Sequence, residues 1–392
     1  MKFDFDSIVA RNGVGNLKKF LTPKKINDAD LISFIGAEFE FKTAPSLIDS
    51  VVRAAQNGLF GFTICSSEYL NHVRWWLETQ RDYAVEESWI VPTQGTIFSV
   101  ATTIRMLTKP GNGIIVPVPG YNRYEQAARR LGRVAVFSNL ILGDDGGYKL
   151  DFDDIERKMS SSNNKIFVLC NPNNPTGSIW GDEDLSKIAA LSEKYGVTVF
   201  SDEIFADVCF EQKSVTPYSK IAGRRGFAIT CTSLGKAFGL TGVNHANVII
   251  ENEELRNKFK MQRDADHYGS IDPMLYAALT GAYTLAGAQW LGQMTDYVWA
   301  NYNLIDKYLK DFIPEIKVIP PQGTYVLWMD FRGLGLGQNE LESFLINEAL
   351  VAADPGTEYY GPEGFMRWNI SVPREIIRSA LERLSRAVKL RR

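Results

Sequence analysis

The apolar positions of this chain follow two rhythms that take turns. Short runs dense in β-branched residues, at 114–118, 134–137, 165–170, 197–201 and 228–232, read as buried strands. Between them lie stretches whose apolar residues recur every three or four positions, predicting helices around 125–131, near 153–159 and over 182–195. Strand, helix, strand units in series predict a mostly parallel sheet sandwiched by helices, with ligands at the carboxyl ends of the strands.

The flanks extend this picture. Residues 31–37 make a short strand-like run, and 44–57 have the spacing of an amphipathic helix opened by Pro45. A helix over 67–81 puts Leu70, Val73, Trp76 and Leu77 on one face, and 89–97 read as a strand and turn feeding a helix over 98–107. After a charged helical stretch at 253–266, one long helix is predicted from Met274 through Asn303. A carboxyl-terminal unit then holds 317–320, a strand at 323–330, a helix near 340–349, 366–371 and a last helix from Arg374. The predicted fold class is α/β: a large domain over 45–285 carrying the sheet, a smaller α+β domain over 286–392, and a segment, 1–44, packing with the smaller one. No internal repeat, low-complexity tract or Gly/Ser linker interrupts the chain.

Composition closes off other function classes. With 392 residues, 45% hydrophobic and 23% charged, the chain has the make-up of a folded protein of about two domains. A formal net charge of -3 supplies no field for nucleic acid or an anionic membrane surface. The basic end, Lys389-Leu390-Arg391-Arg392, reads as a frayed helix terminus. Cys65, Cys170, Cys209 and Cys231 form no Cys-x-x-Cys pair and mostly sit in apolar runs, which predicts packing as small hydrophobes rather than zinc binding or disulfides. Three histidines are too few for a histidine metal cluster, so no metal is expected. No signal-peptide pattern follows Met1 and no apolar span is long enough to cross a bilayer, so the expected location is the cytoplasm.

The candidate chemistry sits in three stretches that each follow a strand signal. In Thr232-Ser233-Leu234-Gly235-Lys236-Ala237-Phe238-Gly239, the lysine is crowded by small residues; Gly235 clears room for something bulky and planar, and Ser233 adds a hydroxyl. A lysine so held can lose its proton and condense with an aldehyde. An isolated lysine on a loop is ordinarily just solvated. Two upstream stretches change that reading, Asn171-Pro172-Asn173-Asn174-Pro175-Thr176-Gly177 and Ser201-Asp202-Glu203. In this order the three resemble the pyridoxal-phosphate enzymes of the class I and II aminotransferase family, fold type I, over nearly the whole chain.

The resemblance implies roles residue by residue. Lys236 would anchor the cofactor aldehyde and move the substrate's Cα proton, while Asp202 would pair with the pyridine nitrogen. Asn174 would meet the ring hydroxyl and border the substrate, and Tyr121 would stack on the ring, with Tyr124 a rival for that place. Gln94, Gly95 and Thr96, opening a helix, would cradle the phosphate together with Ser233. Arg367 would grip the substrate α-carboxylate with its planar fork, and Gly36 and Ala37 would lend backbone groups to the substrate. A homodimer with shared active sites is implied too, with Phe62 and Asp266-His267-Tyr268 near the seam and His267 toward the distal end of the substrate.

The departures from the family pattern are equally specific. The arginine that many members carry eight residues after the lysine is here Asn244, followed by His245. Phe205 stands where a tyrosine often meets the ring hydroxyl, and Phe62 where a neighbouring subunit often donates a tyrosine. Fixing the phosphate would then fall to Thr63, Tyr268 or His245. The missing arginine, with Phe60-Gly61-Phe62 and the string from Gly323 to Asp330, resembles most the cystathionine and cysteine-S-conjugate β-lyase branch. Ala37-Glu38-Phe39-Glu40-Phe41 departs from that branch's usual Ala-Asp-Met-Asp-Phe. The branch implies β-elimination of an L-amino acid to pyruvate, ammonia and a thiol. Transamination with a 2-oxo acid needs the same lysine, aspartate and arginine, so the motifs leave both open and only the branch features favour elimination. A ligand-sensing regulator on the same fold is opposed by the intact lysine and aspartate and by the lack of room for a DNA-binding module before Phe34.

Overall fold

Seven strands form the central sheet of the computed structural model, which describes residues 2–10, 16–22, 31–144, 146–223, 226–266 and 271–391. In space they run Ile90–Thr93, Ala246–Ile249, Ala228–Thr232, Thr198–Asp202, Asn164–Cys170, Gly113–Val118, Val134–Asn139. Ala246–Ile249 is antiparallel to both neighbours, and the other pairs are parallel. The interior strands are rich in apolar residues because both faces are covered. Ile114, Val116 and Val118 pack with Val100 and Ile104 on one face, while Ile115, Phe167 and Leu169 pack with Leu185 and Ile188 on the other. Each such side chain contributes about 1.5–3 kcal/mol on burial.

A second, antiparallel sheet runs Lys317–Val318, Val326–Asp330, Phe365–Asn369, Asp354–Pro355. Its register sets Arg367 between Trp328 and Asp354. Ile32–Ser33 pairs in parallel with Val351–Ala352, and Phe34 stacks on Trp368 at 4.5 Å, tying the amino-terminal segment to this sheet.

Several elements differ from the sequence reading for identifiable reasons. The helix expected from 98 opens at Thr96, because Gly95 takes φ +108 and serves as its N-cap. Ala246–Ile249 was hidden by Asn247, a polar residue in the run that is wholly buried and bonded to the Tyr69 hydroxyl. The predicted long helix is two, Pro273–Ala282 and Leu285–Phe312. Thr284 caps the second through Gly287 N, and Tyr283 turns inward to stack on Trp76 at 4.6 Å. Thr324 has φ +72, so the strand predicted from 323 begins only at Val326. The chain end is not frayed at Arg391, whose guanidinium pairs with Glu340 and Glu348.

All four cysteines are free; Cys170 and Cys231 are buried as small hydrophobes, while Cys65 and Cys209 are partly exposed. Among the described residues no helix is long and apolar enough to cross a membrane, and no cluster of side chains could hold a metal. Beneath the strand end at Asp202, Glu203 is buried and accepts from Arg81 at 2.7 Å, Ser201 at 2.9 Å and the Tyr218 N–H at 2.8 Å. Arg81→Leu would strand that carboxylate without its cation. The variant is predicted to lose about 3–5 kcal/mol, read as a lower denaturant midpoint at unchanged slope; a loss under about 1 kcal/mol would contradict the arrangement.

Candidate active site

Five strands of the large sheet deliver their following residues to one cavity of about 520 Å³. Thr93 leads to Gln94 and Gly95, Val118 to Tyr121, Cys170 to Asn174, and Thr232 to Ser233 and Lys236, while Asp202 is itself the last residue of its strand. Gly36, Ala37, Gln94, Gly95, Thr96, Tyr121, Asn174, Asp202, Ser233, Lys236 and Arg367 all border this cavity. Phe62 does not: it is wholly exposed, and Thr63 lies away from the cavity with its hydroxyl on Gly61 O. His267 and Tyr268 fall outside the described residues.

Asp202 is buried and held by neutral donors, the Tyr124 hydroxyl at 2.5 Å and the Ile204 N–H at 3.2 Å. Burial pushes its carboxyl up to about 6 against the lowering effect of these donors. Tyr124 thus supports the acid. Tyr121 remains on the cavity wall, edge to face with Tyr124 at 5.6 Å.

Lys236 is partly buried, and its Nζ donates to Ala37 O at 3.0 Å. The same carbonyl accepts from Thr241 at 3.0 Å and Tyr325 at 3.2 Å, so Ala37 parks the lysine. Burial, and then the charge of Arg367, bring the Lys236 ammonium down to about 8. Ser233 caps the short turn that carries the lysine, accepting from Gly235 N and donating to His245 O at 2.8 Å. Gly95 and the first turn of the helix Thr96–Leu107 border the cavity with the helix's N-terminal end, and Gln94 beside them is exposed.

Arg367 is buried and already engaged. Its Nε and Nη2 donate to Asp354 Oδ2 at 3.1 and 2.5 Å, Nη1 donates to Asn174 Oδ1 at 3.0 Å, and the Tyr359 ring lies 4.4 Å away. Asp354 also accepts from Gly36 N at 3.0 Å. Sequence reasoning missed Asp354, Tyr359 and the partnership of Tyr124 with Asp202. Only the register of the second sheet brings Asp354 beside Arg367, and nothing local in Asp354-Pro355-Gly356 announces it.

The site therefore combines an amine that loses its proton more readily than an ordinary lysine, a buried acid, the N-terminal end of a helix and an arginine with two N–H groups to spare. About one in ten Lys236 amines is neutral at pH 7, against about one in a few thousand for an ordinary lysine. Reductive trapping of a small aldehyde, followed by peptide mapping, is predicted to mark Lys236 first. Its rate should rise roughly tenfold between pH 7 and 9 and then flatten. A rate still climbing at pH 10, with label spread over surface lysines, would contradict this.

The chain is similar to cystathionine beta-lyase PatB of Bacillus subtilis, 28% identical over 387 residues, covering 98% of this chain and 100% of the relative. It is 30% identical to protein MalY of Escherichia coli over 391 residues, covering 99% of each. The crystal structure of cystalysin from Treponema denticola, which contains pyridoxal 5'-phosphate, superposes with a TM-score of 0.95 at 30% identity, covering 100% of both chains. These relatives bear out the branch resemblance drawn from the sequence. The family model described as aminotransferase class I and II matches residues 43–384, and the chain belongs to that family.

Proposed function

We propose that the protein is a pyridoxal-phosphate enzyme that cleaves the carbon–sulfur bond of an L-amino acid by β-elimination. The observation that carries the reading is the pairing, across one cavity, of an amine brought down to about 8 at Lys236 with a buried carboxyl at Asp202. The residues present suit the cofactor. Among the described residues Asp202 takes its hydrogen bonds from neutral donors, so a cationic ring nitrogen would complete its shell. His245 borders the cavity, and its buried Nδ1 has no hydrogen-bond partner among the described residues, an orphan that an incoming acceptor would satisfy. When bound, pyridoxal phosphate supplies a protonated ring that draws electrons from the substrate's Cα.

The remaining work falls to the chain's own side chains. Lys236 Nζ would anchor the cofactor's aldehyde carbon and, once the substrate's amine has displaced it, would take the Cα proton and hand a proton to the departing sulfur. Asp202 keeps the ring nitrogen charged, Tyr121 covers the ring face, and Asn174 meets the ring hydroxyl. Gln94, Gly95, Thr96 and Ser233 surround the phosphate. Arg367, fixed by Asp354 and Asn174, turns its two spare N–H groups to the α-carboxylate, beside Ala37. The cystathionine β-lyase name of the Bacillus subtilis relative supports elimination over transamination.

The same reading makes the protein a homodimer. Its support is the run of Leu59, Phe60, Phe62 and Ile64, each more than 60% exposed and in need of an apolar cover. It divides the chain at 44 and 285, supported by a large sheet lying within 90–249 and a second sheet within 317–369. The four free cysteines support a reducing, cytoplasmic setting.

The test supplies L-cystathionine to protein loaded with pyridoxal phosphate, with no 2-oxo acid present, and assays pyruvate and free thiol beside a Lys236→Ala control. Many turnovers of both products, absent from the control, are expected. No turnover, with the cofactor converted to its amine form, would replace the lyase reading with an aminotransferase.

A further inference from the structure

The cavity brings no cation among the residues proposed for the phosphate, Gln94, Gly95, Thr96 and Ser233. Arg123, Lys236 and Arg367 are the basic residues on its wall among the described residues, and the last two are engaged with Ala37, Asp354 and Asn174. His245 lies beside Gly95 and Ser233. Its backbone N lies 3.6 Å from where a Gly95 side chain would begin, and its carbonyl accepts from Ser233 at 2.8 Å. The residue is 4% exposed.

A relay of hydrogen bonds fixes which ring nitrogen carries the hydrogen. The Tyr69 hydroxyl donates to Asn247 Oδ1 at 3.0 Å, which turns Asn247 Nδ2 toward His245 Nε2 at 3.4 Å. An amide nitrogen only donates, so Nε2 must accept. The ring is neutral, since burial brings it down to about 3, and its one hydrogen therefore sits on Nδ1. Among the described residues that Nδ1–H has no partner. A buried, unsatisfied donor costs stability unless something else fills its need.

We propose that His245, held as its Nδ1–H tautomer by Tyr69 and Asn247, donates that hydrogen to the cofactor's phosphate and completes the cradle opened by Gly95 and Thr96. This rests on the reading that the cavity takes pyridoxal phosphate. Tyr69 and Asn247 act as positioning residues, setting the tautomer through the relay. The phosphate is then held by neutral donors, so its retention depends on hydrogen-bond direction rather than on a paired charge.

The test uses the full-length protein labelled with ¹⁵N at histidine, titrated with pyridoxal phosphate and, separately, with pyridoxal, which lacks the phosphate. With three histidines in the chain, the His245 signals are assigned by their loss in His245→Leu. The expected spectrum shows a protonated Nδ1 that does not titrate between pH 5 and 9. Its signal should shift with pyridoxal phosphate and stay in place with pyridoxal. His245→Leu should weaken pyridoxal phosphate by about tenfold or more and pyridoxal by less than about twofold, with His245→Gln recovering part of the loss. Tyr69→Phe should let the tautomer mix, seen as hydrogen on both ring nitrogens. A hydrogen on Nε2, an Nδ1 signal blind to the phosphate, or equal weakening of both ligands would overturn the proposal. Failure of the unaltered protein to bind either ligand would overturn the cofactor reading and this proposal together.

Discussion

A carboxylate buried at the carboxyl end of a central strand must be satisfied on every side, and Asp202 imposes that demand on its surroundings. Its strand pairs with Asn164–Cys170 and Ala228–Thr232, which brings the Asn174 turn and the Lys236 turn to either side of it. Tyr124, on the helix after Gly113–Val118, reaches across to donate its hydroxyl. One residue further on, Glu203 is turned the other way and neutralised by Arg81. The strand end is thus fixed by an ion pair below while the acid above keeps only neutral partners. That asymmetry leaves Asp202 available to a cation from the cavity.

Arginine and lysine meet a different constraint. Both lie near one another in a low-dielectric pocket, and each depresses the other's charge unless acids intervene. Asp354 answers for Arg367, which stays charged and fixed in its rotamer. Lys236 bonds the Ala37 carbonyl and the Thr241 hydroxyl, with the Phe205 ring 5.6 Å away, and burial, then the charge of Arg367, make it give up its proton more easily against the opposing pull of Glu38 and Asp202. One cavity thus holds a guanidinium fixed by a carboxylate and an amine that loses its proton readily.

Much of this was legible in the sequence because the large sheet is buried on both faces. Its apolar runs, their helices and the turn residues between them are local patterns, and Lys236, Asp202 and Asn174 all follow such runs. What was hidden depends on residues distant in sequence meeting across the fold. Ala246–Ile249 carries a buried asparagine that breaks its apolar run, and its Asn247 makes sense only beside Tyr69 and His245. Asp354 and Arg367 are thirteen positions apart and become partners through strand register. Tyr124 looked like a second candidate for stacking until the strand end placed Asp202 against its hydroxyl.

The central claim is that a fixed negative charge at Asp202 drives the chemistry at Lys236, and substituting Asp202→Asn tests it most directly. The variant keeps the shape and the Tyr124 contact while removing the charge. Loaded with pyridoxal phosphate, it should still show the absorbance of cofactor joined to lysine. Its release of pyruvate from L-cystathionine should fall at least about a hundredfold, the scale of losing one preorganised charge from a buried site. Turnover within a few-fold of the unaltered protein would contradict the account.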